Sequence, residues 1–233
     1  MKHVPRFYTA AELCDGGKVS LLPDQLRHAT AVLRLSVGDM VRVFNSPWGE
    51  WICEIIDAQR GALKCISMLK KCFNETGPAV ACTLINPKRF DFFLEKVTEL
   101  GVSEIIPIVS QRSNYKNINL RKAEQKIIQA CEQSQRLSIP TLREVMKLKD
   151  FLPKYSSNYR ILVGDEKFSK LKLSDVIREK CVFLVGPEGG FTDEEYKLFS
   201  IYKDLHKFTI GSTILRSETA AISFVSVWRD KFS

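Results

Sequence analysis

Along the first third of the chain, apolar residues come in short alternating runs; beyond it, they come in longer buried runs separated by stripes at helical spacing. VSLL, DMVRVFN, EWICEIID and ALKCISML read as β segments, the middle two joined through the turn Ser46-Pro47-Trp48-Gly49. One short helix, Asp24 to Leu35, interrupts them. This pattern predicts a small β-barrel over residues 1–72, a shape that holds RNA, proteins or carbohydrates in different settings. The polar residues 73–78 read as a linker.

From Ala79 the period changes. AVACTLIN reads as a buried strand, and Pro87 suits the first turn of the helix after it. Phe90, Phe93, Leu94, Val97 and Leu100 form one apolar stripe on that helix, which Gly101 should end. EIIPIVS is the next strand, followed by a basic helix from Leu120 to Arg136 and an extended piece from Thr141 to Val145. The strand YRILVGD, a weaker helix from Leu173 to Lys180, the strand CVFLVG, a helix after GPEGG and the strand HKFTIG follow. A final helix carries Ala221, Phe224, Val225 and Trp228 on one face. Strands alternating with helices predict an α/β domain over residues 79–233, built on a mostly parallel sheet.

Composition adds a partner class. The 233 residues carry a formal net charge of +8, which suits a polyanion. The surplus is uneven: residues 76–155 hold 13 basic against 8 acidic side chains. Within that third, QRSNYKNINLRKAEQK gathers Arg112, Lys116, Arg121, Lys122 and Lys126 around the single acid Glu124, with Tyr115 between them. Such a cluster is a solvated helix face or a surface that tracks phosphates by releasing their counterions. No apolar run approaches a membrane span, and MKHVPRFYTA lacks the apolar core of a secretory signal, so a soluble, cytoplasmic protein is expected. Seven cysteines without a C-x-x-C pair fit core thiols better than disulfides or a metal site, and no metal is expected.

The chemistry concentrates in two glycine-led turns that each follow a strand, where parallel-sheet proteins bind ligands. VGPEGGFTDEE fits neither the P-loop nor the dinucleotide pattern. Its carboxylates at Glu188, Asp193, Glu194 and Glu195 would repel a phosphate. Thr192 and Glu195 make a capping box, Phe191 and Tyr196 occupy the positions of a hydrophobic staple, and Asp193 and Glu194 complement the helix dipole. Glu188 has no such explanation. Gly189 and Gly190 beside it are either a tight loop that needs positive φ or a close backbone approach to a flat ligand without phosphates. The second turn, IGSTILRSETA, places Ser217 as a helix cap or a polar contact, and Arg216 near Glu218.

These residues resemble a known family, the bacterial 16S (small-subunit) ribosomal RNA uridine-N3 methyltransferases of the SPOUT superfamily. The likeness runs through Arg6-Phe7, His28, Val32-Leu33-Arg34, Gly38-Asp39, KVTELGV, ACEQSQR, GPEGGFTDEE and ILRSETA, and so spans nearly the whole chain. It implies a PUA-like barrel for RNA at the N-terminus, an α/β domain with a deep trefoil knot, and a homodimer. No periodicity reveals a knot.

The resemblance further implies an S-adenosylmethionine pocket. Gly186, Glu188, Gly189 and Gly190 would line it from the first turn, and Ile210, Gly211, Ile214 and Leu215 from the second. Arg216, Glu218 and Arg136 would serve the transfer. Arg6, His28 and Arg34 on the barrel, together with Arg112, Lys116, Arg121 and Gln133, would meet small-subunit ribosomal RNA or the 30S particle. Thr213 stands where the family usually has arginine. A non-catalytic RNA-binding assembly factor, or a SPOUT methyltransferase of another RNA position, are the alternatives.

Overall fold

The structure, a computed structural model, describes residues 4–71, 76–165 and 172–232. Half of the linker expected over 73–78, and one of the seven cysteines, Cys72, lie outside the described residues. The chain forms two compact units: Met1–Glu75 with Cys131–Ile139, and Thr76–Ala130 with Pro140–Ser233.

The first unit is a five-stranded sheet of β1 (Arg6–Tyr8), β2 (Lys18–Ser20), β3 (Met40–Asn45), β4 (Gly49–Asp57) and β5 (Ala62–Lys70), in the order β1-β3-β4-β5-β2. The β1–β3 pair is parallel and the others antiparallel. Both edge strands contribute to one core, with Phe7 from β1 and Val19 from β2 joining Val41, Val43, Ile55 and Leu63, so the sheet curls around it. The β3–β4 hairpin closes as expected: Gly49 takes φ +77°, and Asn45 Oδ1 accepts the Trp48 N–H at 2.9 Å. Its Nδ2 also donates to the Thr9 and Ala11 carbonyls, so Asn45 fastens the N-terminal segment to the hairpin.

The helix expected from Asp24 to Leu35 is shorter and mixed. An α-helix α1 (Pro23–Arg27) runs into a π-helical turn, His28–Val32. The turn ends on Arg34 at φ +55°, while the Leu35 N–H reaches back to the Ala29 carbonyl at 2.9 Å. Strand β1 is an addition to the expected elements, because three residues carry no readable alternation.

The second unit is a seven-stranded parallel sheet. Its strands are β6 (Ala79–Thr83), β7 (Glu104–Val109), β8 (Thr141–Leu142), β9 (Met146–Lys147), β10 (Arg160–Gly164), β11 (Cys181–Val185) and β12 (Leu205–Phe208). The order is β12-β10-β11-β6-β7-β8, with β9 also pairing β7. Strands β6 and β11 are buried at every position, as a sheet covered on both faces requires. Helices α2 (Pro87–Glu99), α3 (Leu120–Ser134), α4 (Leu148–Ser156), α5 (Leu173–Val176), α6 (Asp193–Phe199) and α7 (Ser217–Phe232) connect them.

Side chains alternate between two cores. Ala81, Ile106, Ile161 and Leu184 pack with Phe151 and Leu152 of α4 and Phe199 of α6. On the other face Phe183 stacks on Phe224 of α7, with ring centroids 4.4 Å apart. Helix α2 ends at Gly101 as its stripe predicts: φ is +98°, and the Gly101 and Val102 N–H groups bond back to Thr98 and Val97. Helix α4 is a further addition, since Pro153 sits inside it and argues against a helix from sequence alone. Buried Leu148, Phe151, Leu152 and Tyr155 show what outweighs the proline. Helix α5 is shorter than expected because Ile177 is already extended.

Candidate active site

Strands β10, β11 and β12 are parallel neighbours, so their carboxyl ends open on one edge of the sheet. A cavity of about 470 Å³ lies there. Gly164 and Asp165 reach it from β10, the turn Gly186–Phe191 from β11, and Thr209–Arg216 from β12. Every residue that the resemblance assigns to a cofactor lines this cavity: Gly186, Glu188, Gly189, Gly190, Ile210, Gly211, Ile214 and Leu215.

Local chemistry fixes the first turn. The Gly190 N–H donates to the Pro187 carbonyl at 2.8 Å, and Gly190 takes φ +70°, which favours glycine. A Cβ on Gly186 would lie 2.9 Å from Phe191 Cε2, so that glycine is needed for space. Thr192 caps α6: its Oγ1 accepts the Glu195 N–H at 3.3 Å, and Glu195 Oε2 accepts the Thr192 N–H at 2.9 Å. The rings of Phe191 and Tyr196 meet edge-on at 6.2 Å, completing the staple.

Further bonds join the turns to their surroundings. Glu195 Oε1 accepts the Gln111 N–H at 2.8 Å, Thr192 Oγ1 donates to Gln111 Oε1 at 2.9 Å, and Arg112 Nη1 donates to the Gly189 carbonyl at 2.8 Å. Ser217 Oγ donates to the Gly186 carbonyl at 2.7 Å, tying the start of α7 to the first glycine turn.

The walls are apolar at Phe183, Val185, Phe208 and Leu215 and polar at the rim. Asp165, Glu188 and Asp193 line the cavity with Arg112 and Arg216, and among the described residues no lysine does. With three acids against two arginines, the lining carries a small excess of negative charge, which suits a phosphate-free ligand that carries positive charge. Glu188 is half exposed and ion-paired with Arg89 of α2, whose Nε also stands 4.0 Å from Glu218 Oε1. Glu218 itself is buried and does not line the cavity. Burial, with the Glu218 charge adding to it, pushes the Cys82 thiol far above its ordinary value, so Cys82 is neutral and no nucleophile.

Residues 75–229 match the model of an RNA methyltransferase domain, and residues 21–66 that of an RNA methyltransferase PUA domain. The chain belongs to the RNA methyltransferase family. The ribosomal RNA small subunit methyltransferase E of Rickettsia conorii is 31% identical to it, over 95% of this chain and 93% of that one. A protein from Legionella pneumophila described as a methyltransferase, solved with S-adenosylmethionine bound, superposes with a TM-score of 0.88 at 29% identity, covering 98% of both chains. The ribosomal RNA small subunit methyltransferase E of Neisseria gonorrhoeae, solved with the same ligand, gives 0.86 at 28% identity, over 99% of this chain and 100% of that one. This methyltransferase thus has a SPOUT-type α/β domain and a PUA-like unit.

The residues expected to meet RNA separate into two groups. His28, Arg34, Lys116, Arg121 and Gln133 are exposed. Arg112 is exposed too, but one arm of its guanidinium braces the glycine turn.

Arg6 is a correction. It is 5% exposed, with Nε on Glu50 at 3.0 Å, Nη1 on the Cys131 carbonyl, Nη2 on the Arg136 carbonyl, and its guanidinium 3.3 Å above the Phe44 ring. Its Nε serves Glu50, a fully buried carboxylate, and its two Nη groups serve backbone carbonyls, so Arg6 holds the first unit together instead of facing RNA.

Arg136 is a second correction. Gln135 at φ +61° turns the chain back after α3, and Arg136 is buried in the first unit with Nη2 on Ser138 Oγ at 3.0 Å. It does not line the cavity, so Arg216 is the expected catalytic arginine that does.

Sequence reasoning missed Arg89 and Asp165. Asp165 ends a parallel strand, a position that the strand-end rule marks. Arg89 left no signal, because its carboxylate partners are 99 and 129 residues away. No helix among the described residues is long and apolar enough to cross a membrane. Of the described cysteines, Cys14 is exposed and the others are buried, and all are free thiols.

Proposed function

We propose that this chain methylates N3 of a uridine in small-subunit ribosomal RNA, with S-adenosylmethionine as methyl donor, and acts in the cytoplasm as a homodimer during ribosome maturation. The observation that carries the reading is the cavity at the ends of β10, β11 and β12, with its two glycine turns bridged by Ser217 and Gly186. Its family supports RNA as substrate, and the relatives named for the ribosomal small subunit support that RNA in particular. The N3 position and the dimer rest on the resemblance of GPEGGFTDEE and ILRSETA.

The cavity fits the donor. Phe183, Val185, Phe208 and Leu215 offer an apolar slot for an adenine, while Gly186, Gly189 and Gly211 let a ligand reach the backbone. Asp165, Glu188 and Asp193 favour a positive charge. When bound, the donor offers a sulfonium methyl, which the N3 lone pair takes as the carbon–sulfur electron pair returns to sulfur.

The chain's own residues do the remainder. N3 lies on the pairing edge, so the uridine must be unpaired or turned out before it can be held here. Glu218, behind the cavity wall and 4.0 Å from Arg89, receives the N3 proton by relay, and Arg216, on the wall, steadies the negative charge that builds on the uracil. Holding the base in line contributes up to about 7–11 kcal/mol in ideal systems.

Calorimetry with S-adenosylhomocysteine should give one site per chain. Glu218→Gln should then retain that site and lose single-turnover methylation. Full activity in Glu218→Gln would remove Glu218 from the proton path, and absence of binding would favour a non-catalytic RNA-binding protein.

A further inference from the structure

Beside the first cavity lies a second of about 370 Å³, within the range of ligand pockets, roughly 300–1,000 Å³. It shares Pro187 and Glu188 with the first, so the same turn forms a wall of both. We infer that this second cavity receives the extruded target base, with Tyr115 as the stacking face and Asn86, Asn114 and Arg89 as donors to its carbonyls. The inference rests on the methyltransferase reading above and names where that reaction takes its base.

The lining has the chemistry of a pyrimidine imide, whose edge presents two carbonyl oxygens around one N–H. Leu84 and Ile85 are buried and give an apolar floor. Tyr115 is 37% exposed, an aromatic ring open to a partner, and any base offers it a π face. Asn86 Oδ1 is taken by the Lys88 N–H at 3.0 Å as the cap of α2, which fixes its amide nitrogen as the outward group. That nitrogen donates to the Tyr115 hydroxyl at 3.5 Å and keeps a second proton for a carbonyl. Asn114 supplies a further amide.

Arg89 stands where the two cavities meet. It binds Glu188 of the shared wall and lies near Glu218, the proposed proton acceptor. A guanidinium in that place favours a base that has lost its N3 proton and holds it toward the first cavity. Lys88, exposed at the rim, is placed for the neighbouring phosphate. A triphosphate or an acidic peptide fits less well, since Glu188 would oppose either and the floor is apolar.

The test is single-turnover methylation of undermethylated small subunits by full-length wild type, Tyr115→Ala, Tyr115→Phe and Asn114→Ala, with S-adenosylhomocysteine affinity measured in parallel by calorimetry. Tyr115 and Asn114 are exposed, and the parallel affinity reports a folded site. Loss of the stacking face should slow Tyr115→Ala by roughly 5- to 150-fold. Tyr115→Phe should stay near wild type, Asn114→Ala should fall between them, and the affinity should be unchanged in all three. Wild-type rates in Tyr115→Ala and Asn114→Ala, with an active wild type, would overturn the base pocket alone. A wild type that neither binds S-adenosylhomocysteine nor methylates would overturn the methyltransferase reading beneath it.

Discussion

The Glu195 carboxylate accepts the backbone N–H of Gln111 at 2.8 Å, 84 residues away in sequence. A side chain that sequence explains as half of a capping box is therefore also the anchor of the loop that carries Arg112. Glu195→Ala removes the box and leaves a part-buried N–H without its partner. The combined cost should be about 2–3 kcal/mol, seen as a lower urea midpoint. Glu195→Gln keeps an acceptor for one of the two N–H groups and turns an NH2 toward the other, so it should cost about 1–2 kcal/mol, less than alanine.

The three glycines of the first turn should respond differently to alanine. Gly186→Ala drives a Cβ to 2.9 Å from the Phe191 ring and should cost about 1–3 kcal/mol, with weaker S-adenosylhomocysteine binding because both residues line the cavity. Gly190→Ala meets open space but is held at φ +70°, which should cost about 1–2 kcal/mol. Gly189→Ala finds only ordinary contact with Arg112 Cδ at 3.6 Å, and its stability should stay within about 0.5 kcal/mol of wild type. Urea titration and calorimetry on the same three proteins check the ranking.

Much of this site is legible in local sequence. Both glycine turns follow strands, and a parallel sheet brings such turns to one edge, which is why eight scattered residues line one cavity. The stripe of α2 and its stop at Gly101 are equally local, as is the Thr192–Glu195 cap. What escapes a sequence reading depends on distant partners. Strand β1 exists because Phe7 enters a core and Arg6 meets Glu50, and neither appears in a three-residue run. Helix α4 forms around Pro153 because Phe151 and Leu152 are buried. Arg6 and Arg136 read as surface cations, since nothing local announces Glu50 or the turn at Gln135.

Arg6 and Arg34 should therefore behave oppositely. Among the described residues, Arg6→Ala leaves buried Glu50 with only Arg42 at 3.3 Å and Lys70 at 3.8 Å, and should cost about 3–5 kcal/mol. Arg6→Lys should not rescue it, because an ammonium cannot span Glu50 and two carbonyls. Arg34→Gly relieves a φ of +55° and should stabilise the chain by about 1 kcal/mol. If Arg34 meets a phosphate, the same change lowers the salt slope of RNA binding by about one unit. Denaturation and filter binding across a salt series separate the two roles.

Glu132 should give the first unit a pH dependence of defined sign. Burial raises its pKa above the ordinary 4.5, outweighing the bonds from the Tyr8 N–H and Gln25 and the charges of Arg6 and His28. As pH rises past 4.5 the unfolded chain releases this proton first, so the folded state is the better proton binder. The stabilising contribution is complete below the unfolded pKa and is lost as pH rises through the folded one. Glu132→Gln keeps an acceptor for both bonds and lacks the titration. Its urea midpoint should therefore gain on wild type as pH rises above 4.5, and the gain should level off beyond the folded pKa.

The proposed reaction, methyl transfer to uridine N3 of small-subunit ribosomal RNA, leaves one diagnostic nucleoside. Incubating the full chain and S-adenosylmethionine with undermethylated small subunits, naked ribosomal RNA and transfer RNA, followed by nucleoside mass spectrometry, tests it directly. 3-Methyluridine should appear in the ribosomal RNA of wild-type reactions and be absent from those of Glu218→Gln. A different methylated nucleoside, methylation confined to transfer RNA, or no product from a chain that binds the cofactor would contradict the proposed reaction.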